Sequence, residues 1–398
     1  MKGSLLVGQS GGPTSVINAS LAGVIKEAFK HEEITHVYGA INGLNGIINE
    51  NLYEFSKDTD LDLLSKTPAA ALGSVRFKLF DDQTEEIYEI IRQVFIKYDI
   101  KYFFYIGGND SMDTCNKIAD YFTAINMDVK VIGIPKTIDN DLVITDHTPG
   151  YGSACKYVAT TISEIYEDTH VYKNGRVTIV EIMGRDAGWL TASSSLARTI
   201  NEGPDLIYLP ESPFELEDFL NDVDRIYKQN KKVLVAVSEG IRDKNNEYIL
   251  KYRTFSNSDN FGHMQLGGVA EVLAEIVNKR LGHSVRAIEL NLPQRCASHI
   301  ASKTDYTEAM KCGEAGVKYA LKGYTDKMII MKRVSEYKIK YDVTSLDSVA
   351  NYVKEFPKEW IINGNSISSE YIKYALPLIK GESSPKFKDG LPLHFKLK

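Results

Sequence analysis

The sequence predicts an α/β fold of two three-layer domains, each with a mostly parallel sheet between helices, facing one another across a cleft. Three observations carry this expectation. Short apolar runs alternate with longer stretches of helical period from residue 4 to beyond residue 320, as in parallel strands joined by crossover helices. The runs are continuously apolar, as strands covered on both faces require. The 398 residues are also enough for two domains, each with a sizeable core.

Residues 4–8 read as the first strand, and a helix running to residue 30 or so places Ile17, Leu21, Val24, Ile25 and Ala28 on one face. Between them lies Gln9-Ser10-Gly11-Gly12-Pro13-Thr14-Ser15. A strand, a glycine-rich turn and a helix N-terminus make an anion site, because the first N–H groups of the helix point outward unpaired. Gly11 and Gly12 let a phosphate approach the backbone. The spacing matches neither the nucleotide P-loop nor the dinucleotide fingerprint, and a tight turn without a ligand fits it equally. Leu72-Gly73-Ser74-Val75-Arg76-Phe77 sits in a polar connection before a helix that starts near residue 84. Arg76 could reach a phosphate there or be a solvated loop charge.

Residues 101–106 form a continuous apolar strand that runs into Gly107-Gly108-Asn109-Asp110-Ser111. The next helix turns Cys115, Ile118, Ala119 and Phe122 to one face. This is a second strand–Gly–Gly–helix geometry, now with a carboxylate at the turn. Asp110 suits a magnesium ligand or a selectivity element, and it suits a plain N-cap as well. The strand over 129–134 stops at Pro135 and opens into Lys136-Thr137-Ile138-Asp139-Asn140-Asp141. One cation, one hydroxyl and two carboxylates at a strand's end are the parts of an acid–base loop acting on a phosphate. A solvated Asp/Asn-rich turn has the same composition.

A long helix over 153–170 precedes a strand over 176–182 that ends in Met183-Gly184-Arg185-Asp186. Arg185 can bind an anion bidentately or pair with Asp186. A strand over 205–209, an amphipathic helix over 216–227 and a buried strand over 232–238 lead to Glu239-Gly240. Glu239 there either accepts hydrogen bonds from sugar hydroxyls or is solvated. Residues 243–263 read as irregular, followed by a helix with Val269, Val272, Leu273 and Ile276 on one face. The strand over 284–290 holds Arg286, and Pro293-Gln294-Arg295 follows. A last strand covers 327–334, and nothing after it carries a readable motif. His147, His263, His283 and His299 have no ligand spacing and fit surface or satisfied core positions.

A net charge of −6 argues against a general polyanion binder, so a phosphate site must come from a few placed cations. Residues 1–8 carry no cleavable leader, and no apolar run is long enough to cross a bilayer. Cys115, Cys155, Cys296 and Cys312 are scattered without a Cys-x-x-Cys pair, which reads as reduced thiols of a cytoplasmic protein rather than a metal site.

With these residues in place the chain resembles the phosphofructokinase family. The carriers, in family order over about the first 325 residues, begin with Gly11-Gly12 and Asn18, Leu72-Gly73-Ser74 with Arg76-Phe77, and Gly107-Gly108 with Ser111. They continue with Pro135, Thr137-Ile138-Asp139-Asn140-Asp141, Met183-Gly184-Arg185, Glu239, Arg286 and Gln294-Arg295. The resemblance implies two Rossmann-like domains: residues 1–150 with 294–330 for the donor, 151–293 for fructose 6-phosphate, and 331–398 as a C-terminal extension. It implies phosphoryl transfer to the 1-hydroxyl of fructose 6-phosphate, with Mg2+ as cofactor and Asp139 as proton acceptor. Thr137, Ile138, Met183, Gly184, Arg185 and Glu239 would line the sugar, and Arg295 its 6-phosphate. Arg176 and Arg286 match arginines that reach the 6-phosphate from a neighbouring subunit, so a homodimer or homotetramer is implied. Gly11, Gly12, Arg76 and Gly108 would meet the donor.

Two positions bear on the donor. ATP-using members typically carry glycine where this chain has Lys136 and Asp110, so the chain resembles the pyrophosphate-using branch. Lys136 would stabilise charge on the transferring group, and Asp110 would repel the α-phosphate of ATP. Asn109 stands where the family usually has a magnesium-holding aspartate, which leaves the metal to Asp110 with Asn109 in doubt. Leu292 replaces a histidine on the sugar phosphate. No nucleic acid or membrane partner is expected. An ATP-dependent kinase and a non-catalytic phosphosugar sensor on the same fold are the alternatives, and a dehydrogenase would need a fingerprint that is missing.

Overall fold

The computed structural model describes residues 1–77, 79, 84–171, 173–252 and 268–397. His263, and the irregular stretch from residue 253 onward, lie outside the described residues. The chain opens with β1 (Gly3–Gln9), α1 (Ile17–Ala28), β2 (Ile34–Ala40), α2 (Leu44–Ile48), β3 (Leu52–Phe55) and α3 (Leu61–Lys66). It continues through α4 (Thr84–Lys97), β4 (Ile100–Gly107), α5 (Asn109–Ala124) and β5 (Lys130–Pro135). A second lobe follows: α6 (Tyr151–His170), β6 (Arg176–Ile182), α7 (Trp189–Ala192), β7 (Leu206–Tyr208), α8 (Leu216–Asn230), β8 (Lys232–Ser238), α9 (Val269–Leu281) and β9 (Val285–Glu289). Then α10 (Pro293–Cys296) and α11 (Lys303–Leu321) return the chain to the first sheet, which β10 (Lys327–Ser335) and β11 (Lys338–Ser345) complete. A hairpin, β12 (Ile361–Ile362) and β13 (Ser366–Ile367), and α12 (Ser369–Ala375) lie beyond it.

The first sheet runs β11-β10-β5-β4-β1-β2-β3 and is parallel except at its antiparallel edges. Successive side chains of a strand face opposite ways, so the apolar runs feed two cores. Val7, Phe104, Ile132 and Ile329 pack under α1 and α11, while Leu6, Phe103, Val131 and Ile330 pack under α4 and α5. The α1–α11 crossing is backbone on backbone, because a Cβ on Gly23 would run into the Met310 carbonyl and one on Gly313 into that of Ser20. The second sheet, β7-β8-β6-β9, is wholly parallel.

In open parallel sheets ligands bind beyond the C-terminal strand ends, where the strand order reverses. Such a point lies at β1, flanked by β2 and β4, and another at β6, flanked by β8 and β9. The Gly11 loop leaves the first sheet there, the Asp110 and Asp139 loops leave it one and two strands away, and those carrying Arg185, Glu239 and Arg295 leave the second.

The C-terminal boundary needs correction. Residues 331–345, expected in an extension, belong to β10 and β11, because β10 pairs in parallel with β5 and so closes the first sheet. Beyond them Leu346 and Val349 enter a core of the first lobe, and Phe356, Ile367, Tyr371 and Leu378 enter that of the second beside Tyr151 and Trp189. No helix among the described residues is long and apolar enough to cross a membrane.

Candidate active site

Pro135 ends β5, and the next residue turns inward. Lys136 is 3% exposed, and its Nζ donates to the Gly12 carbonyl at 2.6 Å. Gly11 has φ +73, and a Cβ there would stand 3.3 Å from that same Nζ. Gly11 therefore needs its missing side chain twice, for the left-handed turn and for the space beside the ammonium. The Ser74 hydroxyl donates to the Gly11 carbonyl at 2.6 Å, which ties the glycine loop to the segment bearing Arg76. The Lys136 N–H donates to the Gly107 carbonyl at 3.0 Å, which sets the second glycine turn beside the first.

Asp139 is half-buried. Its N–H donates to Thr137 Oγ1 at 3.0 Å, and that hydroxyl donates back to Asp139 Oδ2 at 3.4 Å. On the opposite sheet, Glu239 accepts the Gly184 N–H at 3.2 Å, and Gln294 accepts that of Met183 at 3.2 Å. Asp186 pairs with Arg242 at 2.7 Å, so Arg185 is not spent on it. Arg185 and Arg295 each carry a buried Nε–H without an acceptor among the described residues. Unmet guanidinium donors are costly when buried, and they suit a planar anion. At the ends of β6, β8 and β9 a cavity of about 80 Å³ is lined by Glu181, Met183, Glu239, Glu289 and Gln294 among others, and by neither arginine.

The charges interact across the two sheets. Burial pushes the Lys136 ammonium down to about 8, opposed by Asp139 and Asp141 and assisted by Arg76 and Arg295. Burial raises the Asp139 carboxyl, against the pull of Lys136, Thr137, Arg185 and Arg295. Asp141 is raised by burial and then by the charge on Asp139. Three cations thus favour ionised Asp139, while Asp141 is discouraged from ionising beside it. Burial also raises Glu239, against its bond from Gly184. A solvated turn would leave none of these groups perturbed. The arrangement can take a proton at Asp139 and neutralise phosphate charge at Lys136, Arg76, Arg185 and Arg295.

Residues 4–319 match the family described as Phosphofructokinase. The chain belongs to the phosphofructokinase family. It is 40% identical over 406 residues to a pyrophosphate–fructose 6-phosphate 1-phosphotransferase of Xanthomonas campestris, with 100% of this chain and 96% of the relative covered. A relative of the same name from Halomonas elongata is 39% identical over 399 residues, covering 98% of this chain and 94% of the relative. The crystal structure of a pyrophosphate-dependent phosphofructokinase from Marinobacter aquaeolei aligns with a TM-score of 0.89 at 37% identity, over 100% of this chain and 96% of that one.

Within this phosphofructokinase fold, three of the expected site residues are placed differently from the rest. Arg176 starts β6 and Arg286 pairs with Thr178 in β9. At a strand rise of about 3.3 Å per residue, Arg176 lies about 20 Å from the Ile182 end of its own strand. Arg286 is ion-paired with Asp168 at 3.3 Å. Both lie toward the N-terminal ends of their strands, whereas the site loops leave the C-terminal ends. Asn109 corrects the metal expectation: its Nδ2 donates to the Tyr352 carbonyl at 2.6 Å, and its Oδ1 accepts the Asn351 N–H at 2.6 Å. Both amide atoms are therefore taken by the C-terminal segment. Asp110, beside it at the start of α5, is exposed. Some residues at the site gave no sequence signal. Glu181 accepts the N–H groups of Gly268 and Ala270 at the start of α9, and Lys354 and Tyr374 reach Asn140 from a stretch without period or motif.

Proposed function

We propose that the chain transfers a phosphoryl group from pyrophosphate to the 1-hydroxyl of fructose 6-phosphate, giving fructose 1,6-bisphosphate and phosphate. The observation that carries this reading is Lys136, a buried ammonium between the Gly12 carbonyl and the charge of Asp139. The transferring group is metaphosphate-like, with charge spread over its equatorial oxygens, so catalysis is chiefly positioning and charge stabilisation. Pyrophosphate brings no nucleoside to help in either task, and a fixed local cation meets that need. Asp110, exposed at the second glycine turn, adds like-charge repulsion against the α-phosphate of ATP.

In this reading the first lobe takes the donor, through Gly11, Gly12, Arg76, Gly108 and Lys136. The second takes the sugar phosphate, through Met183, Gly184, Arg185 and Glu239, with Arg295 on the 6-phosphate. Thr137 and Ile138 complete the sugar pocket, and Asp139 removes the hydroxyl proton as the O–P bond forms. A phosphoanhydride is exchanged for an ester with little free energy to spare, so the step runs both ways and serves glycolysis or gluconeogenesis.

Mg2+ fits the residues present. It needs only one or two protein carboxylates when phosphates and waters fill its shell. Asp110, exposed at the second glycine turn, and Asp141, whose Oδ1 is buried and unpartnered among the described residues, are the carboxylates that would hold it. When bound, the ion would neutralise charge on the donor phosphates. Half-exposed Arg286, near the start of β9 and paired with Asp168, supports a homodimer or homotetramer that shares sites. Four free thiols support a cytoplasmic setting.

Initial rates with pyrophosphate and with ATP, each with Mg2+ and fructose 6-phosphate, test the donor. Pyrophosphate turnover well above ATP turnover is expected. Turnover with ATP alone overturns the reading.

A further inference from the structure

The acid–base loop is gripped from behind by a segment that carries no motif. Between β11 and β12 the chain crosses from one lobe to the other, and Lys354 lies on that crossing. Its N–H donates to the Asp141 carbonyl at 2.7 Å. Its Nζ donates to Asn140 Oδ1 at 3.2 Å and to the carbonyls of Thr145 at 3.2 Å and Asp146 at 3.0 Å. All three ammonium protons are thereby used. The ammonium also lies 5.0 Å from the Trp189 ring, and the indole N–H donates to the Lys354 carbonyl at 2.9 Å.

Asn140 is held on its other side as well. Its Nδ2 donates to the Tyr374 hydroxyl at 3.0 Å, and that hydroxyl donates to the Asp146 carbonyl at 2.7 Å. Asn140 is buried and left-handed, with φ +54. Asparagine tolerates that conformation better than other residues with a side chain, and the two grips fix its amide within the turn. Asp139 and Asp141 are its peptide neighbours. Lys354 makes no ion pair within 4.0 Å among the described residues, so its hydrogen bonds go to the loop's amide and carbonyl oxygens, while the Asp146 and Asp141 carboxylates attract its charge from farther off. A hydrophobic side chain would fill the same volume without the desolvation penalty of a buried charge.

We propose that Lys354 and Tyr374 are positioning residues for phosphoryl transfer, holding Asn140 in the turn that aims Asp139 at the acceptor hydroxyl. This rests on the reading of Asp139 as the base. The same crossing segment takes both amide atoms of Asn109 through residues 351 and 352, so one strap sets the donor turn and the acid–base turn together. An amide can donate and accept at that position, and an ionised carboxylate can only accept.

Lys354→Met and Tyr374→Phe, each alone and combined with Asp139→Asn, test the proposal through pyrophosphate-dependent rates. A small misplacement of a reacting group costs about 100-fold. Lys354→Met is therefore expected to lower kcat by about that factor, with KM for both substrates within about threefold of wild type. Tyr374→Phe removes one hydroxyl and should lower kcat about tenfold; it keeps the test alive if the lysine variant does not fold. Once Asp139 is Asn there is no base to aim, so neither substitution should slow that variant further. Unchanged kcat in Tyr374→Phe and in any folded Lys354→Met overturns the proposal. Equal slowing of the Asp139→Asn background also overturns it, because that marks a merely structural role. A wild-type chain without pyrophosphate turnover, or a fully active Asp139→Asn, instead overturns the underlying reading, and this proposal with it.

Discussion

Two carboxylates and one ammonium share six positions of chain, and their surroundings separate their tasks. Lys136 is pushed down to about 8 by burial, so it is charged below that pH and neutral above it. The kcat/KM profile, which reports the free enzyme, should therefore fall as pH rises through about 8. Lys136→Arg, charged throughout, should flatten that limb, and a limb that stays in place would assign it to another group. Asp139 behaves oppositely. Its folded pKa is raised, so the ionised carboxylate costs stability once pH exceeds that value, and the cost disappears as pH falls below the unfolded value. Asp139→Asn should lower kcat by about 10²- to 10⁴-fold while leaving Tm at pH 7 equal or higher. A lower Tm would mean that the carboxylate supports the fold.

At the scale of elements, the far end of the loop after β5 is pinned to α11. His147, 1% exposed, bonds Asp146 through Nδ1 at 2.7 Å and Glu308 through Nε2 at 2.8 Å. Tyr337, between β10 and β11, donates to the other oxygen of Glu308 at 2.7 Å. Burial opposes protonation of the imidazole, but the hydrogen bonds and charges of Asp146 and Glu308 outweigh it and raise its pKa from 6.5. Its contribution is therefore complete below about pH 6.5 and lost as pH rises through the raised folded value. His147→Gln should cost about 3 kcal/mol at pH 6, as breaking a buried charged pair does, and less as pH rises. Thermal unfolding of both proteins from pH 6 to 9 checks this, and a pH-independent difference would show a neutral native imidazole. The histidines had no ligand spacing in the sequence, and the two acids that define His147 come one from the adjacent position and one from residue 308, beyond the reach of local pattern.

For the whole molecule, the two arginines near the starts of β6 and β9 make the assembly testable. If Arg286 serves a neighbour, Arg286→Ala should raise KM for fructose 6-phosphate about tenfold or more, the worth of a charge-assisted hydrogen bond. KM for pyrophosphate should not move. Reassembling a mixture of Arg286→Ala and Asp139→Asn subunits should restore sites that neither parent has, so activity should exceed the sum of the two. Additive activity would show that each chain works alone. The crossing segment over 346–379 acts at this scale too, since its aromatic side chains join the Trp189 cluster while Lys354 grips the loop of the other sheet.

Residue patterning alone makes the α/β class and most strands and helices legible, because a strand covered on both faces must be apolar wherever it lies. It also placed the glycine turns, Lys136, Asp139, Arg185 and Glu239 at strand ends, since Gly and Pro punctuate locally. Folding alone settled what those residues face. It buried Lys136 against Gly12, left Arg185 free of Asp186, turned Asn109 from a metal to the strap, and added residues 331–345 to the first sheet. Each of these depends on a partner brought up by folding, in most cases more than a hundred residues away. Burial and charge pairing are properties of what covers a residue, and local sequence patterning does not specify the covering chain.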